Sequence, residues 1–256
     1  MNRIVAAACL PALFAGGAAS ASGLEPHRAM YGLSLVRAAA VSGIEAVRGA
    51  LAIEWQRTCD GWISTQRLGF VADTDDGPGF SFDVRFSSWE SLDATQLRYT
   101  VRNFASGELE SEFRGEARIE EVGKGGVAQF TAPDKRNVQL PPETLFPAAH
   151  LNRLLEAAAR GDRLLVRDVF DGSGFDALTA ITAVIGPEKT LDDDGTAWPV
   201  GLAFHNAETP YEAMPEFEVW FDLDRRGAMH SIRLDYGDFV LRGELIRFED
   251  VAAPDC

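Results

Sequence analysis

The strongest constraint on the fold of this chain is a period-two alternation of apolar and polar side chains. Phe80, Phe82, Val84 and Phe86 share one face of an extended segment, and polar residues separate them. Similar alternation recurs over residues 29–36, 47–55, 97–102, 108–120, 164–170, 217–223, 232–236 and 239–248. One-sided alternation is typical of an antiparallel sheet with one core face and one solvent face. The chain is therefore predicted to be mainly β, and a parallel α/β architecture is disfavoured.

One segment follows a helical period instead. Apolar residues repeat there at the three-and-four spacing of a single helical face, at Leu151, Leu154, Leu155 and Ala158. Pro147 suits the first helical turn, and Gly161 supplies a stop signal. A lone helix in a many-stranded chain has to bury its apolar stripe against the sheet. We expect the sheet to curl around this helix.

The N-terminus has the charge and hydrophobicity pattern of an export signal. Arg3 precedes an apolar run, and small residues follow up to Ala21, after which cleavage is expected. The chain is thus predicted to consist of a signal peptide, residues 1–21, and a single domain, residues 22–256. An uncleaved anchor and a lipoprotein attached through Cys9 are the alternatives, although the residues before Cys9 fit the lipoprotein signal poorly. No later segment is apolar enough to predict a membrane span in the mature chain.

Two cysteines remain after removal of the signal peptide, Cys59 and Cys256. Export places them in an oxidising compartment, where an even pair usually forms a disulfide. Such a bridge would tie the C-terminus to an early strand. Two free thiols or an intermolecular bridge are the alternatives.

The formal net charge of −15 argues against nucleic acid as a partner. An acidic surface repels phosphate backbones and anionic lipid surfaces. The acidity either keeps an exported protein soluble or presents an acidic patch to a basic partner, and solubility is the simpler interpretation.

No catalytic or metal-binding motif is present in the sequence. Nucleophile elbows, zinc-protease, Walker and Cys-x-x-Cys motifs are all missing, so neither an enzymatic activity nor a cofactor is predicted. The histidines stand singly, without short ligand spacing, at His27, His150, His205 and His230. His150 is the most interesting because it lies near the start of the predicted helix. It is either a packing histidine or a candidate binding or catalytic residue.

Acidic clusters offer oxygen ligands but not a complete calcium loop. Residues 73–77 and 192–195 are acidic and end in Gly, yet neither continues into a calcium-binding loop. Solvated turns are the simpler interpretation. Asp168 and Asp171 form a carboxylate pair three positions apart, in a segment whose glycines predict a strand that ends in a turn.

Trp220 is the second candidate for a binding surface. Phe217, Val219 and Phe221 occupy one face of its predicted strand, and Trp220 lies on the other face. Glu218 and Asp222 lie on the same face as Trp220. A strand with an aromatic residue on this second face suits a protein-binding surface or an apolar groove, whereas packing at a sheet edge is the alternative.

Several segments resemble the cell-envelope integrity proteins of the EipB family, which occur in the periplasm of alphaproteobacteria. The resembling stretches run in order through the chain, over residues 27–35, 42–45, 140–147 (Leu-Pro-Pro-Glu-Thr-Leu-Phe-Pro), 168–173 and 235–245. The resemblance implies a β-spiral, a broken barrel-like antiparallel sheet wrapped around one central helix. It also implies a disulfide between Cys59 and Cys256, a periplasmic location, and association with a tetratricopeptide-repeat protein.

Three functions are compatible with these features. The leading hypothesis is a non-enzymatic periplasmic scaffold that maintains envelope integrity by binding a protein partner. The second is a carrier that holds a lipid or lipoprotein acyl chain in an apolar cavity inside the curved sheet. An envelope hydrolase that uses His150 is the third, and it lacks a supporting motif.

Overall fold

The computed structural model describes residues 23–75, 77–120, 124–191, 195–207 and 214–256. The predicted signal peptide, residues 1–21, lies outside the described residues. So do Asp76 and residues 192–194 of the two acidic clusters.

Antiparallel strands account for most of the described chain. The strands are β1 (His27–Ala38), β2 (Ile44–Arg57), β3 (Gly61–Thr74), β4 (Phe80–Ser91), β5 (Gln96–Ala105), β6 (Glu108–Ile119), β7 (Gly126–Ala132), β8 (Arg136–Leu140), β9 (Leu164–Phe170), β10 (Leu178–Ile185), β11 (Lys189–Thr190), β12 (Thr196–Asn206), β13 (Phe217–Asp224), β14 (Met229–Asp235) and β15 (Phe239–Asp250). The helix α1 spans Pro147–Arg160, and a short 3-10 turn spans Ala40–Ser42.

All of these strands belong to one sheet. Its order is β8-β7-β6-β5-β4-β3-β2-β1-β15-β14-β13-β12-β10-β9, with β11 paired to β12. The path starts and ends with β8 and β9, the two strands that flank α1 in sequence. The sheet is therefore a nearly closed barrel-like spiral, broken at the helix, and the predicted mainly β fold around one helix is confirmed.

Local sequence explains how neighbouring strands are joined. Ser106 and Gly107 connect β5 to β6 with φ angles of 48° and 85°. Two consecutive left-handed residues match the twist of the flanking strands in a two-residue hairpin, and glycine adopts this conformation at low cost. The predicted helix also ends as expected, because Gly161 has a φ of 81° and its N–H bonds to the last turn.

The inner face of the sheet buries two apolar clusters. The larger cluster surrounds α1, whose Leu154 and Leu155 are fully buried against inward-facing residues of β1, β2 and β12–β15. The smaller cluster joins β5–β8 to the chain on either side of β9, and it centres on Phe130, Phe146 and Phe170. The strands β5–β8 thus fold over the start of the helix and the end of β9.

A disulfide connects Cys59, in the turn between β2 and β3, to the C-terminal residue Cys256. The two Cα atoms lie 5.6 Å apart, and 197 positions separate the residues in sequence. Beyond β15, the tail also bonds to the N-terminal segment, since the Val251 N–H donates to the Pro26 carbonyl at 3.1 Å. Both ends of the described chain are therefore attached to the same end of the sheet.

Removing the disulfide is expected to destabilise the fold without changing it. On the loop-entropy account, a closure of this length stabilises the folded state by ~5 kcal/mol. We expect the variant C59S/C256S to unfold at a clearly lower urea concentration than the oxidised wild type, with an unchanged circular dichroism spectrum. Reduced wild type should match the variant. Equal unfolding midpoints for oxidised wild type and variant would contradict the prediction.

Candidate ligand cavity

An apolar cavity of about 510 Å³ lies between α1 and the inner face of the sheet. It is lined from β2, β3, β4, β9, β10, β12, β13 and β14 as well as from the helix, and twenty of its twenty-four lining residues are apolar. Pockets for small molecules usually measure about 300–1,000 Å³ and are mostly apolar. The cavity therefore has the size and the character of a ligand site.

The period-two pattern of the sequence builds the walls of this cavity. On β4, Phe82, Val84 and Phe86 point inward, and their polar neighbours face solvent. On β13, Phe217, Val219 and Phe221 form the opposite wall by the same alternation. Successive side chains of a strand point to opposite faces, so each strand contributes every second residue.

His150 provides a polar group in the cavity wall. It lies in the first turn of α1 and is only 8% exposed. Its Nε2 is buried and has no hydrogen-bond partner among the described residues. Burial lowers the pKa of His150 to about 4, and the charge of Arg167 acts in the same direction. The imidazole is therefore neutral at neutral pH, with one N–H donor and one acceptor nitrogen.

Asp171 is the carboxylate in the cavity wall. It follows the end of β9, and its Oδ1 accepts a hydrogen bond of 2.9 Å from the Ser173 N–H. Burial raises the pKa of this carboxyl. The next residue, Gly172, has a φ of 79°, and a Cβ there would lie 2.3 Å from the ring of Tyr99. Only glycine fits this position, which holds the turn that carries Asp171 against β5.

The cavity continues into a second hollow of about 430 Å³. The two spaces share five lining residues, among them Asp171, Phe204 and Phe217. The remainder of the hollow is formed mainly by the loop between β9 and β10, residues 171–177, and it also includes Glu216. The hollow therefore lies between this loop and the start of β13, where a ligand could pass between solvent and the cavity.

Glu90 fixes the helix that forms one side of the cavity. Its carboxylate, on the inner face of β4, accepts hydrogen bonds from the N–H groups of Ala148 at 2.7 Å and Ala149 at 2.8 Å. Phe146, the residue at the N-cap position, provides no side-chain bond to these free N–H groups. A distant strand thus supplies the N-terminal cap that the helix itself lacks.

Trp220 lies on the outside of the sheet, away from the cavity. Its side chain is 43% exposed and packs across Gly201, where a Cβ would lie 2.4 Å from the indole ring. Exposed apolar residues continue the row toward the sheet edge, at Val184 on β10 and Leu164 on β9. We call Leu164, Val166, Val184 and Trp220 the outer apolar row.

The histidines and acidic residues do not converge on a metal site. In the part of the chain that the structure describes, no three His, Cys, Asp or Glu side chains lie close enough together to hold a metal ion. His27 stacks on Phe248, His230 lies 3.4 Å from Asp224, and His205 is on β12. Within the same residues, no helix has the length and apolar character needed to cross a membrane.

Comparisons with known proteins agree on one family. A model of the EipB-like family matches residues 18–252. The cell envelope integrity protein EipB of Brucella abortus is 32% identical over 250 residues, which cover 92% of this chain and 88% of that protein. The chain belongs to the EipB-like family. A crystal structure of a beta-barrel-like protein with a domain of unknown function, also from Brucella abortus, matches with a TM-score of 0.82 at 29% identity, covering 90% of this chain and all of that one.

In this EipB-like protein the two candidate surface residues lie on opposite sides of the sheet. His150 is buried against the cavity and cannot form part of an exposed partner surface, because its side chain is almost inaccessible. Trp220 is exposed on the outer face, where the alternation of β13 places it. The structure assigns the two candidates to an internal site and an external row.

Sequence reasoning missed Glu90, although the signal was present. Phe80, Phe82, Val84 and Phe86 define the inner face of β4, and the same alternation places Ser88 and Glu90 there. A carboxylate on an apolar face predicts a buried partner with N–H groups to donate. The partner is a helix that lies 58 positions away in sequence, so its identity required the structure.

The stability of this EipB-like protein should depend on pH through Glu90. Burial raises the pKa of Glu90 to about 7, against the usual 4.5 of a glutamate. Because the folded pKa is raised, the stability that Glu90 contributes is fully present below pH 4.5 and is lost as the pH rises to 7.

We expect the stability of wild type relative to E90Q to fall by ~3 kcal/mol across this interval, since glutamine does not ionise. Urea unfolding of both proteins at a series of pH values measures this difference. Parallel pH profiles for the two proteins would show that Glu90 does not titrate in this range.

Proposed function

We propose that this protein contributes to cell-envelope integrity as a non-enzymatic periplasmic carrier that holds a lipid or lipoprotein acyl chain in its internal cavity. The single observation that carries the proposal is the cavity of about 510 Å³ with twenty apolar residues in its wall. The relative from Brucella abortus is named a cell envelope integrity protein, and this name supports a role of the proposed carrier in envelope integrity.

The size of the cavity fits a chain rather than a small solute. An engineered apolar cavity of ~150 Å³ binds benzene, so a space about three times larger accommodates roughly a dozen or more carbon atoms. Each buried methylene contributes ~0.8 kcal/mol, which makes a long chain a favourable occupant. The wall also has few polar groups that water could satisfy.

The compartment is consistent with this role. The disulfide between Cys59 and Cys256 suits an oxidising environment outside the cytoplasm. The N-terminal pattern predicts export, and the outer face of the sheet is rich in charged residues, as in the ion pairs of Arg67 and Arg85 with Asp83. A soluble protein with an apolar interior can shield a chain from water in transit between membranes.

Filling the cavity should abolish ligand binding. Val219 points into the cavity and Trp220, its neighbour, points outward. We expect the variant V219W to lose at least about tenfold in affinity for the hydrocarbon dye diphenylhexatriene, whose fluorescence rises in apolar surroundings, because the indole occupies the space of the chain.

The matched control is W220A, which should bind the dye as wild type does. Thermal unfolding of both variants checks that each is folded. Mass spectrometry of gently purified wild type should also detect copurifying lipid. Dye binding that survives in V219W, or that wild type does not show, would contradict the carrier function.

A second candidate function is the binding of a periplasmic protein partner at the outer apolar row. Leu164 and Val166 on β9, which ends the sheet, are exposed on the same face as Val184 on β10 and Trp220 on β13. Exposed apolar groups that form a contiguous row are typical of protein-binding surfaces. A tetratricopeptide-repeat protein is the partner class that the family resemblance implies.

The same pair of variants separates this function from the first. We expect W220A to reduce recovery of a tetratricopeptide-repeat protein from envelope extracts by at least about fivefold, because tryptophan is a frequent anchor of interfaces. The variant V219W should recover the partner as wild type does. Failure to recover any repeat protein with wild type, or equal recovery with W220A, would count against this candidate.

A further inference from the structure

The cavity wall combines an apolar chain site with a small set of polar groups. Among the described residues that line the cavity, four are polar, namely Gln66, His150, Asp171 and Tyr236, and none is Lys or Arg. A buried anion needs a cation or several N–H donors to offset its desolvation. The side chains of the wall provide neither a cation nor several N–H donors to a carboxylate or a phosphate.

The hollow at the mouth is equally unsuited to an anion. Its lining includes Asp171, Asp176 and Glu216, and no Lys or Arg is among the described residues that line it. Arg136 packs over the ring of Phe175 at 4.2 Å, but it is not a lining residue of the hollow. An anionic head that remained at the mouth, outside the cavity, would therefore meet carboxylates of the same sign.

His150 offers an unfilled hydrogen-bonding site beside the apolar wall. Its buried Nε2 has no partner in the described part of the chain, and an unpaired buried polar group of this kind costs ~1–3 kcal/mol. The ring is neutral at neutral pH, so it can donate to or accept from an uncharged group. A hydroxyl, an ester or an amide at the start of a chain meets this requirement.

We propose that the cavity selects acyl chains whose first polar group is uncharged, and that His150 forms a hydrogen bond to this group. This inference rests on the carrier function proposed above and adds the chemistry of the polar group at the start of the acyl chain. It disfavours free fatty acids, which are anionic at neutral pH and must lose that charge to enter an apolar site. Two sources share the selected chemistry, the ester-linked chain of a glycerolipid and the amide-linked chain of an acylated lipoprotein.

Competition against diphenylhexatriene tests the selection with one constant chain. The competitors are monoolein, which carries a glycerol ester, N-oleoyl-cysteinamide, which carries an amide on cysteine, and oleate, which carries a carboxylate. We expect at least one of the neutral competitors to displace the dye from wild type, at neutral pH, at a concentration at least about tenfold below that needed for oleate. The tighter of the two neutral competitors indicates the source of the chain.

Variants at His150 test the hydrogen bond separately from the apolar site. We expect H150L to reduce the advantage of the preferred neutral competitor over oleate by about tenfold, with each competitor's affinity corrected for the dye affinity measured in the same variant. H150Q, which keeps an uncharged donor and acceptor, should retain most of that advantage. It replaces H150L in the comparison if H150L does not fold.

The outcomes distinguish the two proposals. If wild type does not bind the dye, the carrier function fails, and the head-group selection fails with it. If the dye binds but oleate competes as well as both neutral ligands, the carrier function stands and the selection is overturned. Selection that persists unchanged in both H150L and H150Q would remove His150 from the site.

Discussion

The structure depends on the need to cover the apolar inner face of one long antiparallel sheet. Each strand buries every second residue, and a sheet that is apolar on one face has to pack against another layer or curl on itself. Here it curls until β8 and β9, its two ends, flank α1. One helix of 14 residues is too small to fill the space that so many strands enclose. The cavity follows from this mismatch between a large curved sheet and a short helix.

The position of the helix is set by polar contacts at its first turn. Glu90 bonds to the N–H groups of Ala148 and Ala149, which holds the start of α1 against β4. The next residue of the helix, His150, lines the cavity, and its Nε2 has no partner among the described residues. The two polar groups therefore differ, because the Glu90 carboxylate is paired with the free N–H groups of the helix and the buried Nε2 of His150 is unpaired. The contrast makes His150 a candidate ligand contact rather than a packing residue.

Much of the fold could be predicted from the sequence, because the local spacing of apolar residues indicates many of the strands and the helix. The alternation of residues 80–86 and 217–223 indicated strands with their correct inner faces, and the spacing of Leu151, Leu154 and Leu155 indicated the helix. The alternation does not indicate strands β3, β7, β8, β10, β11 and β12. On β12, Pro199 and Gly201 interrupt the pattern, and Gly201 is small because Trp220 packs across it. The cavity itself could not be predicted, since its volume depends on how residues far apart in sequence pack.

The two faces of β13 show how one strand can serve two purposes. Val219 and Phe221 belong to the cavity wall, and Trp220 between them belongs to the outer apolar row. A ligand inside the sheet and a partner outside it would contact alternate residues of the same strand.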